Sequence, residues 1–224
     1  MANSEIQLFT FWRSQAAYRV RIALHLKGLE FKPHVIDLLK GDQYSESYRK
    51  LNPEGVVPTL IDGDKAPLVQ SLAILEYLDE TRPNPPILPA SAEDRAHSRA
   101  LGQVVAMEAH TLIVPRIRHY LEKDLGLDET TRMNWIRHWM DTASSALEEM
   151  LARDSRTGTY CVGDRPTIAD ICMVAHFSST IMLYKNDVAR WPTANRIFEN
   201  CMKLDAFSAT HPLRQPDAQQ PAKA

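Results

Sequence analysis

The chain has 224 residues, 44% of them hydrophobic and 24% charged, enough for one large or two small domains. With 26 Lys and Arg against 28 Asp and Glu the net charge is -2, so bulk charge gives no pull toward nucleic acid or an anionic membrane. Cys161, Cys172 and Cys201 are widely spaced with no CxxC pair, which argues against a disulfide framework and a zinc site. No stretch reaches the ~18 apolar residues of a membrane span, and the opening MANSEIQLFTFW has no basic region followed by an apolar run. These features predict a cytoplasmic protein with neither membrane nor nucleic-acid partners.

In chain order, Ile6, Leu8 and Phe9 start a short strand that ends near Trp12. Ser14 then precedes a helical pattern through Val20, Ala23, Leu24 and Lys27, which Gly28 stops as a C-cap glycine. Phe31 to Asp37 reads as a second strand, making a βαβ unit with parallel strands. Residues 56–61 and 67–69, around the turn Asp62-Gly63-Asp64, read as a hairpin, with Pro58 at a strand entrance. Ser71 is the expected N-cap of a helix carrying Leu72, Ile74, Leu75 and Leu78. The order β-α-β then β-β-α is that of a thioredoxin-like α/β domain, predicted over residues 1–82.

Pro83, Pro85 and Pro86 forbid continuous helix, so residues 83–91 are expected to be a linker. From residue 92 strand signals vanish. Leu101, Val104, Val105 and Leu112 mark one helix; Ile136, Met140, Ala143 and Leu147 a second; Ile168, Ile171, Cys172 and Ala175 a third. An all-helical domain is expected over 92–224, with a flexible, Pro-rich tail after His211. Thr167-Ile168-Ala169-Asp170 has the form of a capping box, a folding feature.

Two helix starts carry candidate chemistry. Free N–H groups and partial positive charge at a helix N-terminus lower a nearby thiol's pKa, and the Ser14 hydroxyl is placed to donate to a thiolate there. Gln70-Ser71, at another helix start, makes a compact carboxylate receptor. An ordinary helix cap is the competing reading at both positions.

Together these segments resemble the glutathione transferase superfamily, and within it the zeta class of maleylacetoacetate and maleylpyruvate isomerases. The most specific piece is Tyr18-Arg19-Val20-Arg21-Ile22-Ala23-Leu24 after Arg13-Ser14. Supporting pieces include Leu51-Asn52-Pro53, Val57-Pro58-Thr59-Leu60, Gln70-Ser71-Leu72-Ala73-Ile74, Glu80-Thr81-Arg82-Pro83, Thr167-Ile168-Ala169-Asp170 and Arg214-Gln215-Pro216-Asp217. The resemblance implies a glutathione cofactor, a homodimer and a small electrophilic substrate, in aromatic amino acid catabolism. Ser14 would face the sulfur. Val57, beside a cis Pro58, would pair its backbone with the cysteinyl unit. Gln70 and Ser71 would hold the γ-glutamyl carboxylate, Gln43 would lie toward the glycyl end, and His110 would help bind glutathione. Arg13, Arg116 and Arg118 would meet substrate carboxylates, for which bidentate Arg is the natural receptor.

Two departures from the zeta pattern stand out. Gln15 and Ala16 replace the second Ser and the Cys of the family turn, so Gln15 becomes a further candidate for holding the thiolate. The Arg that the isomerases carry late in the helix beginning at the capping box is replaced by Met182, and no Arg occurs anywhere from Ile168 to Asp187. Met182 favours a less acidic substrate. The isomerase therefore competes with a general glutathione transferase that conjugates or dehalogenates electrophiles, and with a non-catalytic glutathione-binding module.

Overall fold

Alternating burial along β1 (Ile6–Thr10) sends Ile6, Leu8 and Thr10 into one core and Gln7 and Phe9 to the opposite face. The computed structural model describes residues 5–218, which divide into a unit of residues 5–87 with 204–218 and a unit of residues 88–203.

In the first unit β1 lies between β2 (Lys32–Val35), parallel to it, and β3 (Thr59–Asp62), antiparallel. The short β4 (Leu68–Val69) pairs antiparallel with β3, giving the sheet order β2-β1-β3-β4. Helices α1 (Gln15–Leu26) and α3 (Ser71–Thr81) pack together over the Leu8–Leu60 face. On the other face Phe9 stacks on His34 and meets Tyr48 of α2 (Glu46–Leu51). The expected βαβ-ββα order is therefore present, with β2 trimmed to four residues.

One buried cation ties α1 to the end of this unit. The Lys27 ammonium donates to Asp79 Oδ1 (3.0 Å), Arg82 O (2.7 Å) and Pro85 O (2.9 Å). Asp79 Oδ1 also accepts the Ile87 N–H at 2.9 Å. Three donors meet three acceptors, so a group that is costly to bury is satisfied.

The second unit is helical: α4 (Ala92–Met107), the short α5 (His110–Ile113) and α6 (Pro115–His119), α7 (Glu129–Arg153), α8 (Ile168–Tyr184) and α9 (Pro192–Met202). Its axis is α8, buried continuously from Ile168 to Thr180. Gly102 of α4 permits the close approach to α8, since a Cβ there would stand 3.3 Å from Cys172 Sγ. The capping box forms as read: Asp170 accepts from the Thr167 N–H (2.8 Å) and from the Cys161 N–H (2.8 Å). Glu148 of α7 caps α9 by accepting from Thr193 N–H and Ala194 N–H. All three cysteines are buried thiols, none of them in a disulfide. No helix among the described residues is long and apolar enough to cross a membrane.

The helical unit closes at Lys203, so the expected helical span of 92–224 is too long at its C-terminal end. Residues 204–218 return to the first unit, where Tyr18 donates its hydroxyl to the Phe207 carbonyl at 2.7 Å and buried Phe207 of α10 (Asp205–Ser208) joins the α1 packing. The expected flexible tail after His211 is also corrected in part. Pro212–Arg214 form a 3-10 turn, and Asp217 accepts the Trp12 N–H at 2.9 Å. Residues 219–224 lie outside the described residues.

Candidate active site

Topology gathers the candidates of the first unit at one end of its sheet. β1 and β4 each run antiparallel to β3, so their C-terminal ends share an edge with the N-terminal end of β3. That edge collects the N-termini of α1 and α3 and the Val57-Pro58 peptide, and β2, parallel to β1, sends its following loop with Gln43 the same way. Two helix N-termini at one sheet edge make a site for anions.

At the start of α1, Ser14 is extended and its Oγ accepts the Ala17 N–H at 3.1 Å. Ser14 is thus an N-cap. Capping uses a lone pair and leaves the hydroxyl proton available to donate, so the cap and the thiolate donor are compatible roles. Gln15, the first residue of α1, is 5% exposed, and its buried Oε1 has no hydrogen-bond partner among the described residues. Arg13 is half-buried, its guanidinium 5.6 Å from the centre of the Trp12 ring.

At the start of α3 the expected N-cap role of Ser71 is corrected. Ser71 is the first helical residue, and the cap position is Gln70, with φ 68° and no side-chain cap bond. A non-glycine residue in the left-handed region costs on the order of 1 kcal/mol. Instead of capping, Ser71 Oγ accepts from Arg19 Nη1 at 3.1 Å. Arg19 is 2% exposed, so a guanidinium stands buried behind the Ser71 hydroxyl. The exposed Gln70 amide donates Nε2 to both carboxylate oxygens of Glu54, each at 2.9 Å.

The Val57-Pro58 bond is cis, as the resemblance implied. The preceding loop is fixed by two donors converging on the Val56 carbonyl, Tyr48 Oη at 2.6 Å and Asn52 Nδ2 at 2.8 Å. Because Tyr48 spends its one proton there, its 3.0 Å contact with Thr59 Oγ1 is a bond it accepts. Gln43 is 5% exposed in the 3-10 turn Asp42–Tyr44. Its Nε2 donates to Leu38 O at 3.4 Å, and its buried Oε1 has no partner among the described residues.

The second unit carries the remaining candidates. His110 is half-buried at the first position of α5. Arg116 is exposed and Arg118 half-buried on the single turn of α6, with Arg118 Nε buried and without a hydrogen-bond partner among the described residues. Residues two apart do not share a helix face, so Arg116 and Arg118 leave α6 in different directions. Met182 is half-buried in the last turn of α8. The next two residues, Leu183 and Tyr184, pack on Ile113, Ile136 and Met140. Two residues of the first unit have no motif signal of their own for this region. Arg19 lies in the Tyr18–Leu24 run that carries the resemblance but has no role assigned to it there, and Glu54 is readable only as part of a Pro-Glu-Gly turn.

Residues 8–86 match the family model of the glutathione S-transferase N-terminal domain. A probable maleylacetoacetate isomerase of Vibrio cholerae is 39% identical over 213 residues, covering 94% of this chain and 97% of that protein. The crystal structure of maleylacetoacetate isomerase from Methylobacterium extorquens AM1, with bound malonate and glutathione, superposes with a TM-score of 0.93 at 43% identity, covering 96% of this chain and all of that one. A maleylpyruvate isomerase, described as a bacterial glutathione S-transferase of the zeta class, superposes with a TM-score of 0.91 at 36% identity over 95% of this chain and 100% of its own. With a transferase-type sheet edge in its first unit and this likeness along nearly its whole length, the chain belongs to the glutathione S-transferase superfamily, in the zeta-class branch of maleylacetoacetate and maleylpyruvate isomerases.

Proposed function

We propose that this chain is a glutathione-dependent cis–trans isomerase of a maleyl-type diacid, maleylacetoacetate or maleylpyruvate. The observation that carries the proposal is the convergence of Ser14, Val57-Pro58 and Gln70-Ser71 on one end of the sheet, in a chain 43% identical to an isomerase solved with malonate and glutathione bound. The residues fit the tripeptide. The buried Arg19–Ser71 pair and the start of α3 suit a carboxylate, and the unpartnered buried oxygen of Gln43 suits an amide N–H.

Glutathione supplies a thiolate that adds to the conjugated cis double bond, leaves a single bond about which the substrate turns, and is expelled with the trans product. The chain's part is to hold and to orient. Ser14 donates its hydroxyl proton to the sulfur, with the α1 N-terminus adding positive potential; this favours the anion over the thiol. The Val57 backbone pairs with the cysteinyl unit. Gln70 and Ser71 hold the γ-glutamyl carboxylate, Gln43 the glycyl end, and His110 assists. Gln15, buried beside Ser14, bounds the sulfur site. Arg13 and one of Arg116 or Arg118 receive substrate carboxylates and stabilise the charge that develops as the thiolate adds. The resemblance supports a cytoplasmic homodimer acting in aromatic amino acid breakdown.

Met182 favours a second reading, a transferase that conjugates or dehalogenates a less acidic electrophile. It puts an uncharged thioether on α8 where the isomerases carry Arg. A single assay separates the two. Loss of maleylacetoacetate or maleylpyruvate absorbance with substoichiometric glutathione, all of it recovered, supports the isomerase. Stoichiometric consumption of glutathione with a halo-acid supports the transferase. Binding of glutathione without either activity defeats both.

A further inference from the structure

We infer that Glu54 is the receptor for the ligand's α-ammonium group, and that through it the protein selects thiols carrying an intact α-amino acid head. The inference deepens the glutathione reading and rests on it.

The charges around Gln70 and Ser71 are of two signs in a definite order. Behind Ser71 stands the buried Arg19 guanidinium, 3.1 Å from the hydroxyl, and beside it the free N–H groups of α3. Beside Gln70 stands the Glu54 carboxylate, both of its oxygens 2.9 Å from Gln70 Nε2. A simple carboxylate entering this receptor gains the donors but meets Glu54 as a like charge. An α-amino acid head carries carboxylate and ammonium on one carbon and matches both signs at once. The ammonium has three N–H donors, and an ionised carboxylate only accepts.

Glu54 is also held in place by its loop. Its N–H donates to Asn52 Oδ1 at 3.1 Å, and the other end of the same Asn52 amide donates to the Val56 carbonyl at 2.8 Å. Gly55, at φ +63°, carries the chain so close to the Gln43 carbonyl that a Cβ would stand 3.2 Å from it. The carboxylate is thus preset by a loop pinned on both sides. Glu54 is a specificity residue for the ligand's amino-acid head, not for the sulfur chemistry assigned to Ser14.

The test is calorimetric binding of two ligands to the full chain and to Glu54→Gln. One ligand is glutathione; the other is its analogue with glutaryl in place of γ-glutamyl, which lacks only the ammonium. Gln keeps an oxygen to accept from Gln70 Nε2 and removes the charge. The wild type is expected to prefer glutathione by roughly tenfold, the scale of a solvent-exposed hydrogen bond between charged groups. In Glu54→Gln that preference is expected to fall below about twofold, through weaker glutathione binding. Glu54→Asp, which keeps the charge, should retain most of it. Unchanged or tighter glutathione binding by Glu54→Gln overturns the inference, because Glu54 would then be a competitor for Gln70. Retained discrimination in a folded Glu54→Gln also overturns it. Failure of the wild type to bind either ligand overturns the glutathione site itself, a separate and recognisable outcome.

Discussion

Replacing Ser14 by Ala removes the N-cap of α1 and, on the function proposed above, the donor to the ligand sulfur. The lost acceptor is the N-cap of α1, a 3.1 Å bond from Ala17 N–H, and Ser-to-Ala at an N-cap costs about 1 kcal/mol. The lost donor is the hydroxyl proton offered to the ligand sulfur. A hydrogen bond to a charged partner contributes about 1.5–3 kcal/mol, and about 1.4 kcal/mol corresponds to one pKa unit. The bound thiol should therefore titrate roughly one to two units higher in the variant than in the wild type. With the wild-type complex almost wholly thiolate, turnover at neutral pH should fall by about two- to tenfold in step with the thiolate fraction, and proton linkage should lower glutathione affinity by a comparable factor. Thiolate absorbance of the glutathione complex against pH reads the first quantity, steady-state kinetics the second, and urea unfolding the cap. If the bound thiol titrates identically in both proteins while stability drops by the cap value, Ser14 is a cap only and the activation argument is wrong.

Three further predictions concern the scaffold. Lys27→Met strips an ammonium with no exposed side-chain surface from Asp79 and two carbonyls, and should cost about 3–5 kcal/mol in urea unfolding, with Asp79→Asn recovering part of the loss in the double variant. Asp170→Ala should destabilise more than Thr167→Ala, because it also orphans the buried Cys161 N–H; an equal effect would reduce the capping box to a local feature. Burial pushes the Asp62 carboxyl up, but hydrogen bonds from Lys65, Tyr77 and Arg82 outweigh it and hold the group below the ordinary range. A depressed carboxylate contributes fully above the unfolded pKa of about 4 and loses that contribution as pH falls through the folded value. Urea midpoints of the wild type and Asp62→Asn should differ at neutral pH and converge in acid; a constant gap would contradict the assignment.

Local chemistry made much of the first unit legible. The apolar spacing after Ser14, the glycine stop at Gly28 and the Asp-Gly turn at residues 62–63 each act within a few residues, and the sheet follows from them. The capping box was readable for the same reason. What sequence reading missed depends on contacts far along the chain. Tyr18 reaches Phe207, and Trp12 reaches Asp217, so residues 204–218 belong with the first unit, although the sequence reads 204–211 as part of the helical domain and the residues after His211 as a flexible tail. Ser71 looks like a cap, but a positive φ at Gln70 starts the helix one residue earlier than a capping serine would, freeing the hydroxyl for Arg19. Arg116 and Arg118 looked interchangeable as charges until the one-turn helix separated their directions.

The claim beneath all of this is that the N-terminus of α1 holds the ligand sulfur as an anion. Calorimetric titration slightly below neutral pH, in buffers of different ionisation enthalpy, measures it directly by counting protons set free on binding. Glutathione should release close to one proton per site, and S-methylglutathione, which has no thiol proton, none. Equal proton counts for the two ligands, or no heat of binding from glutathione, would contradict the account.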